Sequence, residues 1–373
     1  MRVLFTCGGS GGHIYPAIAV AQVFRRRESS PEILFVGAEG AMETRIVPEG
    51  GFAIRTVRVS NLAHSISPKA IGKNIKSAAR LAGALRKAGQ ILDEFKPDIV
   101  IGTGGYACFP VLYRAHGRGI PTLLHESNAT PGLTTRLLAK RVDRVMTGFS
   151  GLENQYPKPG KVVCTGTPVR EEFLFADRAS ARREFNLDAR PVVVSAFGSL
   201  GARDMNIIMA DVLENAARRG AAQMLHAAGS RYIAALNASL TERGVTRERY
   251  PNIRVCEYFD NMPSLMAAAD LFIGRAGAST LNELMVTGTP AVLIPSPNVT
   301  NDHQTSNANK MKEQCGVEVL AEKGLTADIL TRTVENLLAG KEKLSAVSRA
   351  LTSAAVPDAA QRIYELAKSL ITP

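Results

Sequence analysis

One glycine cluster, set between an apolar run and a helical pattern, constrains this chain more than any other feature. Val3-Leu4-Phe5 precedes Gly8-Gly9-Ser10-Gly11-Gly12-His13, and Ile14-Tyr15-Pro16-Ala17-Ile18-Ala19-Val20-Ala21 follows. Strand, glycine turn and helix in that order open a βαβ unit, so a parallel sheet covered by helices is expected. Glycines let a backbone come close to a ligand, and free N–H groups at the next helix start favour an anion such as phosphate. A plain βα turn needs neither four glycines in five positions nor a titratable His13 directly after them. The loop is not G-x-G-x-x-G, and no Lys-Ser or Lys-Thr follows it. It is therefore neither a dinucleotide fingerprint nor a Walker A loop.

The pattern recurs along the chain. Ile99-Val100-Ile101 enters a second loop, Gly102-Thr103-Gly104-Gly105-Tyr106, and Pro121-Thr122-Leu123-Leu124 runs into His125-Glu126-Ser127-Asn128. The pattern restarts in the second half, where Val192-Val193-Val194-Ser195-Ala196-Phe197 opens Gly198-Ser199-Leu200-Gly201-Ala202. Asp270-Leu271-Phe272-Ile273 then enters Gly274-Arg275-Ala276-Gly277, with Ala278-Ser279-Thr280-Leu281-Asn282-Glu283 as the following helix start. Ligands of open α/β sheets gather beyond the carboxyl ends of the strands, so the loops of each half are expected to share one edge. A carboxylate in the first turn of a helix can accept two hydrogen bonds from a vicinal diol. Glu283 is placed for this, although Thr280-x-x-Glu283 also fits a capping box. His125 and His226, both on apolar runs, read as core residues.

A length of 373 residues suits two domains. The net charge of +11 is uneven: residues 1–165 carry 22 Lys and Arg against 11 Asp and Glu, and residues 166–373 carry 23 of each. The basic half calls for an anionic partner. Within it, Ile71, Ile75, Ala78, Ala82 and Leu85 recur at helical spacing among Lys73, Lys76, Arg80 and Arg86. Such a stretch is either an ordinary core-facing helix or one that rests on an anionic membrane surface. It has no aromatic residue on which a base could stack, which argues against nucleic acid. Five scattered cysteines without a CxxC pair point to reduced thiols in the cytoplasm. No signal peptide and no membrane-spanning run is expected. The chain has no metal-ligand spacing, so neither a metal nor a cofactor is expected. A diphosphate leaving group would then need backbone N–H groups and a cation such as Arg170, and His13 is the candidate general base.

In combination, and in this order, these motifs resemble the bacterial UDP-N-acetylglucosamine:lipid I N-acetylglucosaminyltransferases of peptidoglycan synthesis. The likeness covers about residues 1–320. Leu200, Ala276 and Ser127 stand where that family usually has Gln, Ser and Gln. The resemblance implies a GT-B fold, two Rossmann-like parallel-sheet domains facing a central cleft. Residues 1–165 would bind the acceptor and the membrane, residues 166–345 the UDP-sugar, and the helices of 346–373 would cross back to the first domain. It implies donor contacts from Ser10, Gly11, Gly12, Asn128, Arg170, Ser199, Phe259, Ala278, Ser279, Thr280, Leu281, Asn282, Glu283 and Gln304. Gly104, Gly105 and Tyr106 would face the acceptor. Ile71, Lys73, Ile75, Lys76 and Arg80 would meet the cytoplasmic face of the inner membrane, and no cofactor is implied. Other readings from the same residues are a GT-B enzyme with another acceptor, a UDP-sugar epimerase, or a non-catalytic lipid-binding protein.

Overall fold

The computed structural model describes residues 1–59, 68–198, 200–299 and 302–371, with side chains from residue 80 onward in the helix Pro68–Phe95. The chain divides into two compact units, residues 1–170 with 356–373, and residues 171–355.

The first unit is built on seven parallel strands: β1 (Arg2–Thr6), β2 (Glu32–Ala38), β3 (Ala53–Val57), β4 (Ile99–Gly102), β5 (Thr122–Glu126), β6 (Arg144–Thr147) and β7 (Val162–Cys164). Their order is β3-β2-β1-β4-β5-β6-β7. The central strands are apolar along their length because helices cover both faces of a parallel sheet. Phe5 stacks on Phe35 at 5.1 Å and meets Phe24 edge-on at 6.0 Å. The helix Ala359–Ile371 completes this core. Its Ile363 and Ala367 are fully buried in it, and Tyr364 meets Phe24 edge-on at 4.9 Å. Tyr364 Oη donates to Glu28 Oε1 at 2.7 Å, and Lys368 Nζ lies 3.0 Å from the same oxygen. These partners hold the Glu28 carboxyl below the usual range, the Tyr364 hydrogen bond first.

The second unit holds six parallel strands: β8 (Val192–Ala196), β9 (Gln223–Ala227), β10 (Ile253–Cys256), β11 (Leu271–Gly274), β12 (Ala291–Leu293) and β13 (Glu318–Val319). Their order, β10-β9-β8-β11-β12-β13, repeats that of the first unit. Its core joins Val193, Leu271 and Ile273 to Met205, Met209 and Leu213 of the helix Arg203–Arg219.

The chain leaves the first unit after Arg170, beyond the 165 expected from the fall in charge. It returns at Val356, not at 346. The helix Lys341–Ala354 stays with the second unit, where Thr352 and Ser348 lie against Gly288. In the first unit the outgoing and returning segments touch: Gly166 has φ +72, and a Cβ there would lie 2.5 Å from Val356 Cβ.

Candidate functional site

Each sheet reverses its strand order once, between β1 and β4 and between β8 and β11. Loops beyond the carboxyl ends at such a point flank the ligand crevice of open α/β sheets. All four glycine loops lie there.

In the first unit the two loops are joined. Gly8 N–H donates to Gly104 O at 3.1 Å. Gly105, at φ +91, has no room for a Cβ, which would lie 2.2 Å from Gly8 O. Ser10 is the extended N-cap of the helix Gly11–Arg27, and its side chain makes no capping bond. Gly11 and Gly12 take the first helical positions, whose N–H groups have no intrahelical acceptor. Half-buried His13 follows. Its Nδ1 is 2.9 Å from Gly8 O and 3.4 Å from Ser10 Oγ. A carbonyl only accepts, so Nδ1 carries the proton and Nε2 of the neutral ring keeps a lone pair. Gly104, at φ +113, closes over this ring: a Cβ there would lie 2.8 Å from Nε2. Thr103 Oγ1 donates to His13 O at 2.6 Å. Tyr106 is exposed beside the second loop.

At the end of β5, Glu126 is turned inward. It is 5 % exposed. Its Oε1 accepts from the backbone N–H and Nδ2–H of Asn128 at 3.1 and 2.9 Å. Its Oε2 accepts from Gly132 N–H and Thr135 Oγ1–H at 3.0 and 2.6 Å. Glu126 thereby fixes half-buried Asn128. His125 is buried as expected, with Nε2 2.9 Å from Gly166 O, and burial pulls its pKa down. Arg170 places its guanidinium 5.4 Å over the Tyr15 ring.

In the second unit the helix Ala278–Thr287 starts on extended Gly277, with no side-chain cap. This corrects the capping-box alternative and the first-turn placement of Glu283. Thr280 already lies inside the helix and Glu283 in its second turn, because Gly277 takes the N-cap. The first N–H groups, of Ala278, Ser279 and Thr280, are therefore the uncapped ones. Ser279 Oγ is buried without a hydrogen-bond partner. Two of the expected donor contacts turn inward. The Leu281 side chain is fully buried in the core, and Asn282 donates Nδ2–H to Ala278 O at 2.8 Å. Glu283 and Phe259 are half-buried. Gln304 is also half-buried, and its Oε1 accepts from Ser296 N–H at 2.8 Å. Arg275 pairs with Glu322 and donates to Ile294 O at 3.0 Å, so it braces its loop. Ser199 lies outside the described residues, as do the side chains of Ile71, Lys73, Ile75 and Lys76; Arg80 is exposed.

Below the third loop, buried His226 links Ser195 Oγ at 2.8 Å to Asn206 Oδ1 at 3.0 Å. Burial brings its pKa down to about 3. Sequence reasoning missed the most enclosed acid beside these loops. Glu43 is 0 % exposed and accepts the N–H groups of Gly9 and Ala38 at 3.1 and 2.7 Å. The nearby thiols are inert: burial pushes Cys108 up to about 12 and raises Cys7 as well.

Two family models match, the glycosyltransferase family 28 N-terminal domain over residues 3–147 and the C-terminal domain over 192–363. A relative from Acetivibrio thermocellus is 37% identical over 372 residues, 100% of this chain and 98% of its own. It is named UDP-N-acetylglucosamine--N-acetylmuramyl-(pentapeptide) pyrophosphoryl-undecaprenol N-acetylglucosamine transferase. The crystal structure of Acinetobacter baumannii MurG matches with TM-score 0.75 at 25% identity, over 99% of both chains. The UDP-GlcNAc 2-epimerase of Neisseria meningitidis matches with TM-score 0.67 at 14% identity, over 99% of this chain and 100% of its own, and shows the fold alone.

Proposed function

The chain belongs to glycosyltransferase family 28, and from that premise we propose how its residues carry out the transfer. The protein is an N-acetylglucosaminyltransferase with two Rossmann-like domains of the GT-B class. It transfers N-acetylglucosamine from UDP-N-acetylglucosamine to the muramyl sugar of lipid I, forming lipid II for peptidoglycan.

The second unit holds the donor. Its uncapped helix start and the unpartnered Ser279 Oγ offer hydrogen bonds to phosphate or ribose oxygens, and Glu283 takes the ribose diol. Leu281 and Asn282 contribute through backbone only. Phe259 lies near uracil and Gln304 near the sugar, while Ser199 and Arg170 serve the diphosphate. The first unit brings Ser10, Gly11, Gly12 and Asn128 to the donor, and Gly104, Gly105 and Tyr106 to the acceptor diphosphate. Nε2 of His13 takes the proton of the muramyl C4 hydroxyl as that oxygen attacks the anomeric carbon. The C1–O bond to UDP breaks, UDP leaves with the bonding pair, and configuration inverts. One observation carries this reading: the bond from Nδ1 to Gly8 O leaves Nε2 as the basic nitrogen.

Among the described residues, no helix is long and apolar enough to cross a membrane. Peripheral attachment to the cytoplasmic membrane surface, through the basic helix Pro68–Phe95, suits a lipid-linked acceptor and the excess positive charge of the first half.

The test is UDP release by purified protein with UDP-N-acetylglucosamine and a lipid I analogue, in EDTA, with and without acceptor. Acceptor-dependent release is expected. Donor binding without release on this acceptor would overturn the acceptor assignment. Release abolished by EDTA and restored by a divalent ion would overturn the metal-free mechanism.

A further inference from the structure

We propose that Glu43 is a positioning residue for His13 and acts through the single peptide group that joins Gly8 to Gly9. The carbonyl of that group accepts His13 Nδ1–H at 2.9 Å, and its N–H donates to Glu43 Oε2 at 3.1 Å. Carboxylate, peptide and imidazole therefore form one line of hydrogen bonds. The second oxygen, Oε1, accepts Ala38 N–H at 2.7 Å and ties the line to the end of β2. The loops are shaped around this carboxyl group. A Cβ on Gly8 would lie 2.4 Å from Oε1, and one on Gly37 would lie 2.4 Å from Cγ. Among the described residues, no carboxylate bonds His13 directly.

Hydrogen bonds in a chain polarise one another. A negative group drawing on Gly9 N–H enriches Gly8 O, which then holds Nδ1–H more firmly. The ring is kept in the tautomer with Nε2 free, and the imidazolium formed after proton uptake is stabilised. Few other titratable groups surround the line. Cys7, just past β1, and Cys108, beyond the second loop, are neutral thiols. His125 on β5 is buried, with its pKa drawn down. On the helix of His13 itself, Tyr15 lies under Arg170. Arg45 and Glu49, on the helix of Glu43, pair with each other at the surface.

The inference rests on His13 as the base, and its test separates the two. In full-length E43Q, the side-chain amide puts N–H where one backbone N–H needs an acceptor. The NMR titration midpoint of His13, assigned by its absence in H13A, should move to lower pH, the direction expected when a negative charge is lost from the line. The acid limb of kcat should move with it. kcat should fall about tenfold, with KM for UDP-N-acetylglucosamine changed by less than about twofold. Lower activity and lower Tm with an unmoved His13 midpoint would make Glu43 merely structural and overturn the proposal. If E43Q does not fold, the wild-type protein decides: the Gly9 amide resonance should titrate with the His13 midpoint, and a flat response overturns the coupling. An active H13A enzyme would remove the base assignment, while the NMR titration would still decide the coupling.

Discussion

The two switch points share a topology and differ in what holds their loops. In the first unit, side chains reinforce the backbone bond between Gly8 and Gly104: Glu43 lies beneath Gly8 and Gly37, Thr103 bonds the His13 carbonyl, and the imidazole fills the space under Gly104. In the second unit, backbone meets backbone. A Cβ on Gly201 would lie 2.0 Å from Ala228 O, and one on Gly229 would lie 2.1 Å from Gly201 N. Asn206 Nδ2 bonds Ala202 O and Ala228 O at 2.9 and 3.0 Å. Each point has a histidine, but His13 is half-buried and His226 is sealed in. A group that must exchange protons has to stay within reach of its substrate, whereas a site that only holds charge does best with fixed dipoles. One fold thus supplies one edge whose histidine stays half-exposed and one whose histidine is sealed.

The largest test of this contrast sets H13A against E283A. H13A should lose about 10²–10⁴ in kcat while calorimetry shows unchanged UDP binding. E283A should mainly raise KM for the donor, by about tenfold or more. If both variants lose the same parameter, the division fails. Next come the glycines. G201A, with φ +76 and no room for a methyl group, should cost about 2 kcal/mol of stability or more and weaken UDP binding. G105A should cost a similar amount but leave UDP binding intact, and equilibrium unfolding with UDP titration would read both.

A smaller effect depends on pH. The unfolded chain takes up a proton at His226 near the usual histidine value, and the folded chain only near 3. Between those values the unfolded state binds more protons, so stability falls as pH falls. Thermal melts of the wild type should show this loss below about pH 6.5, and H226Q should flatten it. The smallest effect is at the closing helix. E28Q should lower stability by about 1 kcal/mol at neutral pH, seen as a Tm drop of a few degrees. The Glu28 carboxyl is depressed in the folded state, so its contribution is present above its unfolded value and fades as pH falls through the folded one.

The repeated strand–glycine–helix pattern was legible in the sequence, because the period of apolar residues and the need for bare backbone are local properties. So were the two halves. Glu43 was not legible. It lies 34 residues from Gly9, in a stretch that reads only as a polar connection, and nothing local shows that two glycines leave room for its carboxyl group. Thr280-x-x-Glu283 misled for the opposite reason: a good local motif yielded to Gly277, whose extended backbone starts the helix earlier. The charge step near 165 also missed the boundary, since surface charge follows partners while the boundary follows packing.

The crossing at Gly166 and Val356 has a consequence for biosynthesis. The second unit is inserted within the first, whose last core helix is Ala359–Ile371. During translation, residues 171–355 can emerge and fold while the sheet begun at Arg2 still lacks the helix that covers Phe24. Domains generally fold as units, starting from the amino end. In this chain the half begun first is finished last, and its apolar flank stays open on the ribosome until then. Ribosome-associated chaperones should therefore engage nascent chains that end before Val356 more strongly than chains released at full length.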